Sequence, residues 1–299
     1  MTESISGRII CGVGGLYTII CDNGKTIKCK ARGILRMKKV TPLAGDLVTV
    51  RRGDGDETGL FIDKIIPRKT ELSRPPVANI DTVFAVICPS DPEPNLLATD
   101  KLLASIYDAK ITPSVIISKA DTTADGTRRL YDIYSKGYDV FVTSSEKDEG
   151  ISDLRRYISE KTTVCAFAGA SGVGKSTLLS ALFPDLSLKT GSISEKTRRG
   201  RHTTREVTLF PFDEEHFIAD TPGFSRLDFD GEKYLPPEDL FFCFPEFEKY
   251  FGKCRYSGCT HLREEGCAVI DAVNSGEIPS SRHDNYVAIY EELKNNRKF

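Results

Sequence analysis

One short stretch near the middle of the chain constrains its fold more than any other. Residues 164–183 read VCAFAGASGVGKSTLLSALF, so an apolar run is followed by a glycine-rich loop and then by helix-forming residues. The loop, GASGVGKS, matches a phosphate-binding loop between a strand and a helix at every fixed position. Its glycines allow backbone N–H groups to surround phosphate oxygens, and the following helix presents its positive end to them. We therefore expect a parallel β-sheet covered by helices, with a site for a nucleoside triphosphate.

Two residues of this loop have distinct chemical roles. The ammonium of Lys175 is expected to reach the β- and γ-phosphates and to act in catalysis, while the hydroxyl of Ser176 is expected to bind Mg²⁺. The residues predicted to contact the nucleotide in this region are Gly169, Ala170, Ser171, Gly172, Val173, Gly174, Lys175, Ser176 and Thr177.

A second motif, SKAD, occupies residues 118–121 at the end of another apolar run. The Asp121 carboxylate can accept two hydrogen bonds from the N1 and N2 positions of guanine, which adenine cannot supply. Ser118 stands where Asn is more usual, and a serine has no amide to make that residue's contacts. The predicted base-binding residues are Ser118, Lys119, Ala120 and Asp121, with Ser144 and Ser145 closing over the base. These residues favour GTP; an ATPase with the same phosphate loop is the alternative.

A third motif, DTPG, begins at Asp220, where the apolar segment HFIAD ends. Asp220 is expected to hold Mg²⁺ through water, and the N–H of Gly223 is expected to face the γ-phosphate, so that loss of this phosphate releases the loop.

The residue that orients the attacking water is harder to assign. Phe224 follows Gly223, where many GTPases carry a Gln, and an apolar side chain cannot orient water. We predict that His202 supplies the missing polar group, with Thr203 or Thr204 closing on Mg²⁺ and the γ-phosphate. The alternative is that His202 is an exposed loop histidine or an RNA contact.

The order of these motifs differs from that of an ordinary GTPase, which begins with the phosphate loop. Here the base-reading loop comes first, then the loop that closes over the base, the phosphate loop and the switch segments. A sheet can form from any chain order provided that its strands still pack, so the order predicts a circularly permuted GTPase domain.

The regions before and after the predicted GTPase domain have different residue patterns. Short β-rich runs with a turn at Asp22-Asn23-Gly24 predict an N-terminal β-barrel of the OB type. The segment IIPRKTELSRPPVANIDTV, which contains three prolines, is interpreted as a linker. The C-terminal region is rich in aromatic residues and is predicted to be mostly helical. The expected domains are 1–72 (an OB-fold that binds RNA), 73–234 (the permuted GTPase) and 235–299 (a zinc-binding helical unit).

Three cysteines and a histidine cluster within fourteen residues of this last region. Cys254, Cys259, His261 and Cys267 supply three thiolates and one imidazole, a set that suits a closed, tetrahedral and therefore structural Zn²⁺ site. Unligated thiols in a loop-rich segment are the alternative. The other six cysteines are scattered, and we expect them to be small apolar residues in or near cores.

Taken together, these strings resemble one family, the ribosome small-subunit-dependent GTPases of the RsgA or YjeQ type. The strings RPPVANIDTV, GRHTTR at 200–205, DTPGF at 220–224 and CRYSGCTHLREEGCAV at 254–269 all look like that family's, and the resemblance covers nearly the whole chain. It implies an OB-fold, a permuted GTPase domain and a zinc domain. It also implies GTP hydrolysis to GDP, stimulated by the small (30S) ribosomal subunit, late in the maturation of that subunit.

The charge distribution fits such a partner. The formal net charge is only −2, but residues 1–75 hold fourteen Lys or Arg against eight Asp or Glu, and residues 189–205 hold six against one. We expect the barrel and this basic segment to contact 16S rRNA, although each could be only a solvated charged surface. The rival function is a zinc-stabilised rRNA-binding assembly factor with little nucleotide turnover.

No secretory signal and no apolar run long enough to span a bilayer are evident, so we expect a cytoplasmic monomer without a membrane partner. Gly172 stands where potassium-dependent GTPases carry an Asn, which argues against potassium dependence.

Overall fold

The N-terminal region forms the expected barrel. A computed structural model describes residues 4–37, 40–53, 59–184, 207–220 and 235–296. The barrel strands are β1 (Ile5–Val13), β2 (Leu16–Cys21), β3 (Thr26–Ala31), β4 (Leu47–Arg52) and β5 (Leu60–Ile65), with a short helix α1 (Gly33–Met37) after β3. They close in the order β1-β2-β3-β5-β4, in which only β3 and β5 are parallel.

Alternation of side chains along these strands builds the barrel core. Successive side chains point to opposite faces of a strand, and the inward positions are apolar and buried: Ile9, Ile19, Cys21, Cys29, Val48, Val50 and Ile62. The prediction of an OB-like barrel is confirmed.

The prediction of a linker after the barrel is wrong. Strands β6 (Glu71–Ser73) and β7 (Pro76–Ala78) pair there as a hairpin. Arg68 donates hydrogen bonds at 2.7 and 2.8 Å to the buried carboxylate of Asp46, and the Asn79 amide donates to the Gly45 carbonyl at 3.0 Å. Prolines and charges indicate a solvated segment only when nothing pairs with them, and here the barrel supplies the partners.

The central region contains one six-stranded sheet. Its strands are β8 (Thr82–Ile87), β9 (Thr112–Ile117), β10 (Val140–Val142), β11 (Val164–Ala168), β12 (Thr208–Pro211) and β13 (Phe217–Asp220), in the order β10-β9-β8-β11-β13-β12. Pairing is parallel between β9 and β10 and between β11 and β13, and antiparallel between β12 and β13. Every residue of β8 and β11 is buried, which is typical of strands with helices on both faces of the sheet.

The helices of this region follow its strands, as the permuted domain predicts. They are α2 (Leu96–Asp108), α3 (Ala124–Tyr134), α4 (Ile151–Lys161) and α5 (Lys175–Leu182). The side chains of Asn95 and Thr123 accept hydrogen bonds from Ala98 N and Gly126 N and so cap the first turns of α2 and α3.

The C-terminal region packs around aromatic rings. It contains two 3₁₀ helices, η1 (Pro237–Cys243) and η2 (Pro245–Tyr250), followed by α6 (Ala268–Asn274) and α7 (Ser280–Asn296). Phe244, Phe247 and Tyr286 are buried here with their ring centroids 5.2–5.3 Å apart. Within the described ranges, no helix combines the length and the apolar character needed to cross a membrane.

Candidate nucleotide and metal sites

The phosphate loop connects β11 to α5, and its first glycine is required by the backbone. Gly169 has φ of +141°, and a Cβ there would lie 2.2 Å from the Val86 carbonyl oxygen. No larger residue fits. Val173 is buried and anchors the loop in the core, while Ser171 and Gly172 are exposed at its tip. The loop thus turns its backbone toward solvent, where phosphate groups can reach it.

The Lys175 side chain folds back over this loop. Its Nζ donates hydrogen bonds to the carbonyls of Gly169 at 2.8 Å and Ala170 at 2.6 Å. Partial burial lowers the pKa of Lys175, since desolvation disfavours the charged ammonium. Phosphate oxygens are stronger acceptors for an ammonium than carbonyls are. The ammonium can therefore exchange these bonds for bonds to a nucleotide. Ser176 and Thr177 follow in the exposed first turn of α5.

Ser118 joins the predicted base-reading loop to the phosphate loop, a role that its sequence context does not indicate. Its buried Oγ lies 2.5 Å from the Val173 carbonyl oxygen and 2.9 Å from that of Ile87. One hydroxyl proton can serve only one of these acceptors at a time. The serine thus supplies a direct tie to the phosphate loop even though it has no amide.

Asp121 is oriented by a serine that the sequence assigns to closing over the base. The Ser144 hydroxyl donates to Asp121 Oδ1 at 2.5 Å, and this bond lowers the pKa of the Asp121 carboxyl. Ser144 is itself fixed by two backbone bonds with Glu149. An ionised, oriented carboxylate is the form that can accept the two guanine N–H groups. Ser145 follows, half-buried.

The loop between β8 and α2 borders the same site, and sequence reasoning missed it. Lys119 Nζ donates to the Asp91 carbonyl at 2.8 Å, and the hydroxyls of Ser90 and Thr122 lie 3.0 Å apart. A Cβ on Gly172 would lie 3.5 Å from Pro92 Cδ. Residues 89–95 therefore touch both the base-reading and the phosphate loops. The only sequence signal was a proline-rich turn, CPSDPEPN, directly after a buried strand.

The residues after the phosphate loop that are predicted to contact Mg²⁺ and the γ-phosphate are only partly described. The backbone of Asp220 ends β13 and pairs with Thr208. His202, Thr203, Thr204 and Gly223 lie outside the described residues, as does the basic segment 189–205.

The C-terminal region brings the four predicted metal ligands together. The Sγ atoms of Cys254, Cys259 and Cys267 and a ring nitrogen of His261 all lie within 4.8 Å of one another. Cys254 Sγ is 3.9 Å from Cys267 Sγ, and His261 Nδ1 is 3.5 and 3.3 Å from these two sulfurs. Ligands around tetrahedral Zn²⁺ stand about 3.8 Å apart for two sulfurs and about 3.6 Å apart for sulfur and nitrogen. The donor set therefore fits zinc in both chemistry and spacing.

A carboxylate fixes the conformation of residues 254–267, which carry the four predicted ligands and are called the metal loop below. Glu264 accepts hydrogen bonds from the backbone N–H groups of Thr260, Leu262 and Arg263 at 2.7–3.0 Å, and also from the Thr260 hydroxyl. Burial opposes ionisation, but these bonds outweigh it and lower the pKa of Glu264 to about 2. The string between the cysteines gave no sign of this role, because Glu264 is one acidic residue among several.

Comparison with known proteins agrees with this architecture. The family model for the RsgA GTPase matches residues 65–230, and that for the RsgA N-terminal domain matches residues 6–60. A protein of Alkaliphilus metalliredigens named "Small ribosomal subunit biogenesis GTPase RsgA" is 41% identical, covering 98% of this chain and 99% of its own. A Listeria monocytogenes protein named "Small ribosomal subunit biogenesis GTPase RsgA 2" is 42% identical, with coverage of 98% and 99%.

Two solved structures have the same fold. The crystal structure of YjeQ from Thermotoga maritima matches with a TM-score of 0.81 and 32% identity, over 97% of this chain and 99% of that one. The crystal structure of YloQ, described as a circularly permuted GTPase, matches with a TM-score of 0.79 and 33% identity, over 98% and 96%.

Fold and site together define a P-loop GTPase whose chain is circularly permuted, preceded by an OB-like barrel and followed by a helical unit with a Cys₃His cluster. Within that class, the chain belongs to the RsgA GTPase family, as its motifs predicted.

Proposed function

We propose that this protein hydrolyses GTP to GDP and phosphate and acts in the maturation of the small ribosomal subunit. The observation that supports this best is the full-length similarity to relatives that carry that name, together with an ordered phosphate loop and a base-reading Asp121. The domain division at 1–72, 73–234 and 235–299 is part of the proposal, as are a cytoplasmic location and a monomeric state.

The proposed nucleotide contacts use residues of the SKAD segment and of the phosphate loop. Asp121, oriented by Ser144, would read guanine, and Lys119 would lie along the base above the phosphate loop. Backbone N–H groups of residues 169–177 would surround the phosphates, and Lys175 would leave its loop carbonyls for the β- and γ-phosphates.

Magnesium fits the proposed site because its oxygen donors are of the kind this ion prefers. Ser176 and Asp220 would hold it, with Thr203 or Thr204 from the switch side. When bound, Mg²⁺ neutralises charge that develops on the transferred phosphate. The residue that orients the attacking water stays a prediction, with His202 as the candidate. In the C-terminal unit, Zn²⁺ would serve a structural role, because its four ligands leave no position open.

The rival functions are weaker. An RNA-binding factor that barely turns over nucleotide would not need Lys175 and Ser176 at the helix start. An ATPase is opposed by Asp121, whose oriented carboxylate matches guanine and not adenine.

Turnover measurements test the proposal directly. We expect the purified protein to hydrolyse GTP slowly alone and at least about tenfold faster with small ribosomal subunits, while ATP is left intact in both mixtures. Large ribosomal subunits serve as the matched control and should not stimulate. Background GTP turnover in every mixture would make the RNA-binding factor the better account.

The barrel carries a row of side chains suited to rRNA. Phe61 on β5 pairs in register with Lys30 on β3 and with Arg51 on β4. Their neighbours Cys29, Val50 and Ile62 point into the core, so this row faces outward. Lys30 is exposed, and Phe61 and Arg51 are half-buried. An aromatic ring between two cations is a surface on which an unpaired base can stack while the phosphates meet positive charge.

Removing the two cations should weaken particle binding. For Lys30→Ala/Arg51→Ala, we expect the affinity for small subunits to fall. Because Arg51 Nε already pairs with Asp63 Oδ2 at 3.3 Å, only Lys30 is counted as neutralising a phosphate, and the slope of log affinity against log salt should shrink by about 0.7. Basal GTP turnover should not change. The control, Arg129→Ala/Lys161→Ala, removes the same charge from exposed sites on α3 and α4. An equal loss of affinity in both variants would show general electrostatics and not a site on the barrel.

A further inference from the structure

A charged side chain lies in the middle of the C-terminal core. Arg282, in the first turn of α7, is only 1% exposed. Its Nε donates to Glu246 Oε1 at 2.6 Å, and its Nη1 lies 2.5 Å from Asp100 Oδ1. A third guanidinium nitrogen, Nη2, donates to the Tyr138 hydroxyl at 3.0 Å. The cation thus meets two carboxylates, both of which are also buried.

The surroundings keep this cation charged. Its Cζ lies 5.5 Å from the ring centroid of Tyr134, 5.3 Å from that of Tyr138 and 4.5 Å from that of Phe244. Burial favours the neutral form, but the charge of Asp100 and the partners around it raise the pKa of Arg282 above its ordinary value. Gly137 makes room for the second carboxylate, because a Cβ there would lie 2.6 Å from Glu246 Oε2.

The partners of Arg282 come from separate elements. Asp100 lies on α2, Tyr134 ends α3, and Glu246 lies on η2. The two helices both begin at the nucleotide site: α2 follows the loop 89–95 that contacts Lys119 and Gly172, and α3 begins with the cap Thr123, two residues after Asp121. Asp100 is only four residues, or about 6 Å, along α2 from its start. One guanidinium therefore binds both helices that leave the site.

The same turns of α7 also hold the metal loop. His283 Nε2 lies 2.7 Å from the His261 carbonyl oxygen, and the Tyr286 hydroxyl donates to the Thr260 carbonyl at 3.0 Å. Asn285 donates to the second oxygen of Asp100 at 2.7 Å. Residues 282–286 thus contact α2 on one side and two carbonyls of the metal loop on the other.

Stability alone is a poor explanation for this cluster. Desolvation of buried ions offsets most of their attraction, and apolar side chains of similar volume often serve folding equally well. What the ions supply is a fixed geometry among the elements they join. We propose that Arg282 is a positioning residue of the nucleotide site. By binding both α2 and α3, it holds the base-reading residues in a fixed position relative to the phosphate loop. Through α7, it also couples that position to the metal loop.

This inference rests on the proposed GTPase function and adds a coupling between the nucleotide site and the metal loop. If the metal loop and the nucleotide site are coupled through Arg282, nucleotide binding must also stabilise α7, because such coupling is reciprocal. A residue that only supported the fold would give no such response to nucleotide.

The test uses the full-length protein and two measurements. One is the Kd for a fluorescent GDP analogue, and the other is amide hydrogen exchange along α7 with and without GDP. The main variant, Arg282→Met/Asp100→Asn/Glu246→Met, keeps the packing and removes the buried ions. We expect its Kd to rise about tenfold, and the protection of α7 by GDP to disappear, while its thermal midpoint stays close to that of the wild type.

Two further variants make the result specific. Arg282→Lys keeps the positive charge but loses the planar guanidinium, whose several N–H groups bond both carboxylates at once. This variant should fold, and it should bind GDP about threefold more weakly than the wild type. Lys101→Met breaks a solvent-accessible ion pair between α2 and α7, formed with Glu292, and should leave both measurements unchanged.

The outcomes separate the two proposals. Wild-type Kd and intact GDP protection of α7 in the main variant and in Arg282→Lys would overturn the role of Arg282 and leave the GTPase function standing. Failure of the wild type to bind GDP would instead overturn the proposed function, and this inference with it.

Discussion

Replacement of Lys175 by Met is expected to lower kcat/KM for GTP by about a hundred- to a thousandfold, as the loss of a single donor to a developing charge does in other enzymes. In this protein the Lys175 ammonium already lies across the phosphate loop, bonded to the carbonyls of Gly169 and Ala170. Methionine has similar length and no charge. The measurement is GTP hydrolysis with and without small ribosomal subunits.

The fold should tolerate this change. Lys175 is a partly buried cation, and its loss removes two hydrogen bonds together with a desolvation cost, so the thermal midpoint should move little. Lys161→Met, at the exposed end of α4, is the control and should keep full activity. Turnover within about threefold of the wild type would show that the phosphate loop does not carry the reaction.

Loss of the metal should have the largest effect on folding. We expect Cys259→Ser to reduce bound zinc from one ion per chain to none and to unfold residues 235–296 at a lower temperature than the rest. Structural zinc contributes about 10–16 kcal/mol in zinc-finger peptides, far more than an ordinary side-chain contact. The aromatic core around Phe244, Phe247 and Tyr286 packs beside the metal loop, so it should open with it.

Metal analysis and limited proteolysis measure this effect. Cys11→Ser is the matched control, since Cys11 lies in the barrel outside the cluster and its loss should leave the zinc content at one. A Cys259→Ser variant that keeps its zinc and resists protease like the wild type would contradict the assignment of the site. Treatment of the wild type with a chelator should reproduce the behaviour of Cys259→Ser.

The sequence predicted those parts of the molecule in which neighbouring residues determine the structure. The phosphate loop needs glycines at fixed spacing between a strand and a helix, and the barrel needs alternating apolar residues between turns. The four predicted metal ligands also lie close together in the chain. Such patterns are readable because the physical requirement and the residues that meet it occupy the same short segment.

The features that sequence reasoning missed depend on partners far apart in the chain. Ser118 bonds the carbonyl of Val173, 55 residues away, and Arg282 pairs with Asp100 across 182 positions. The presumed linker is ordered because Arg68 meets Asp46 on the barrel. In each case the residue itself gave no local sign of its partner. The switch residues, including His202, stay predictions.

The edges of the central sheet have a consequence for how the protein behaves in concentrated solution. An exposed strand edge is a template on which another chain can add a strand and begin aggregation, and natural proteins commonly blunt such edges by keeping them short. The two outer strands here are β10, with three residues, and β12, with four. The barrel is closed and offers no such edge. The hairpin strands β6 and β7 have three residues each. In the described part of the chain, none of the three sheets presents a long open strand, so these residues offer little backbone for edge-to-edge association.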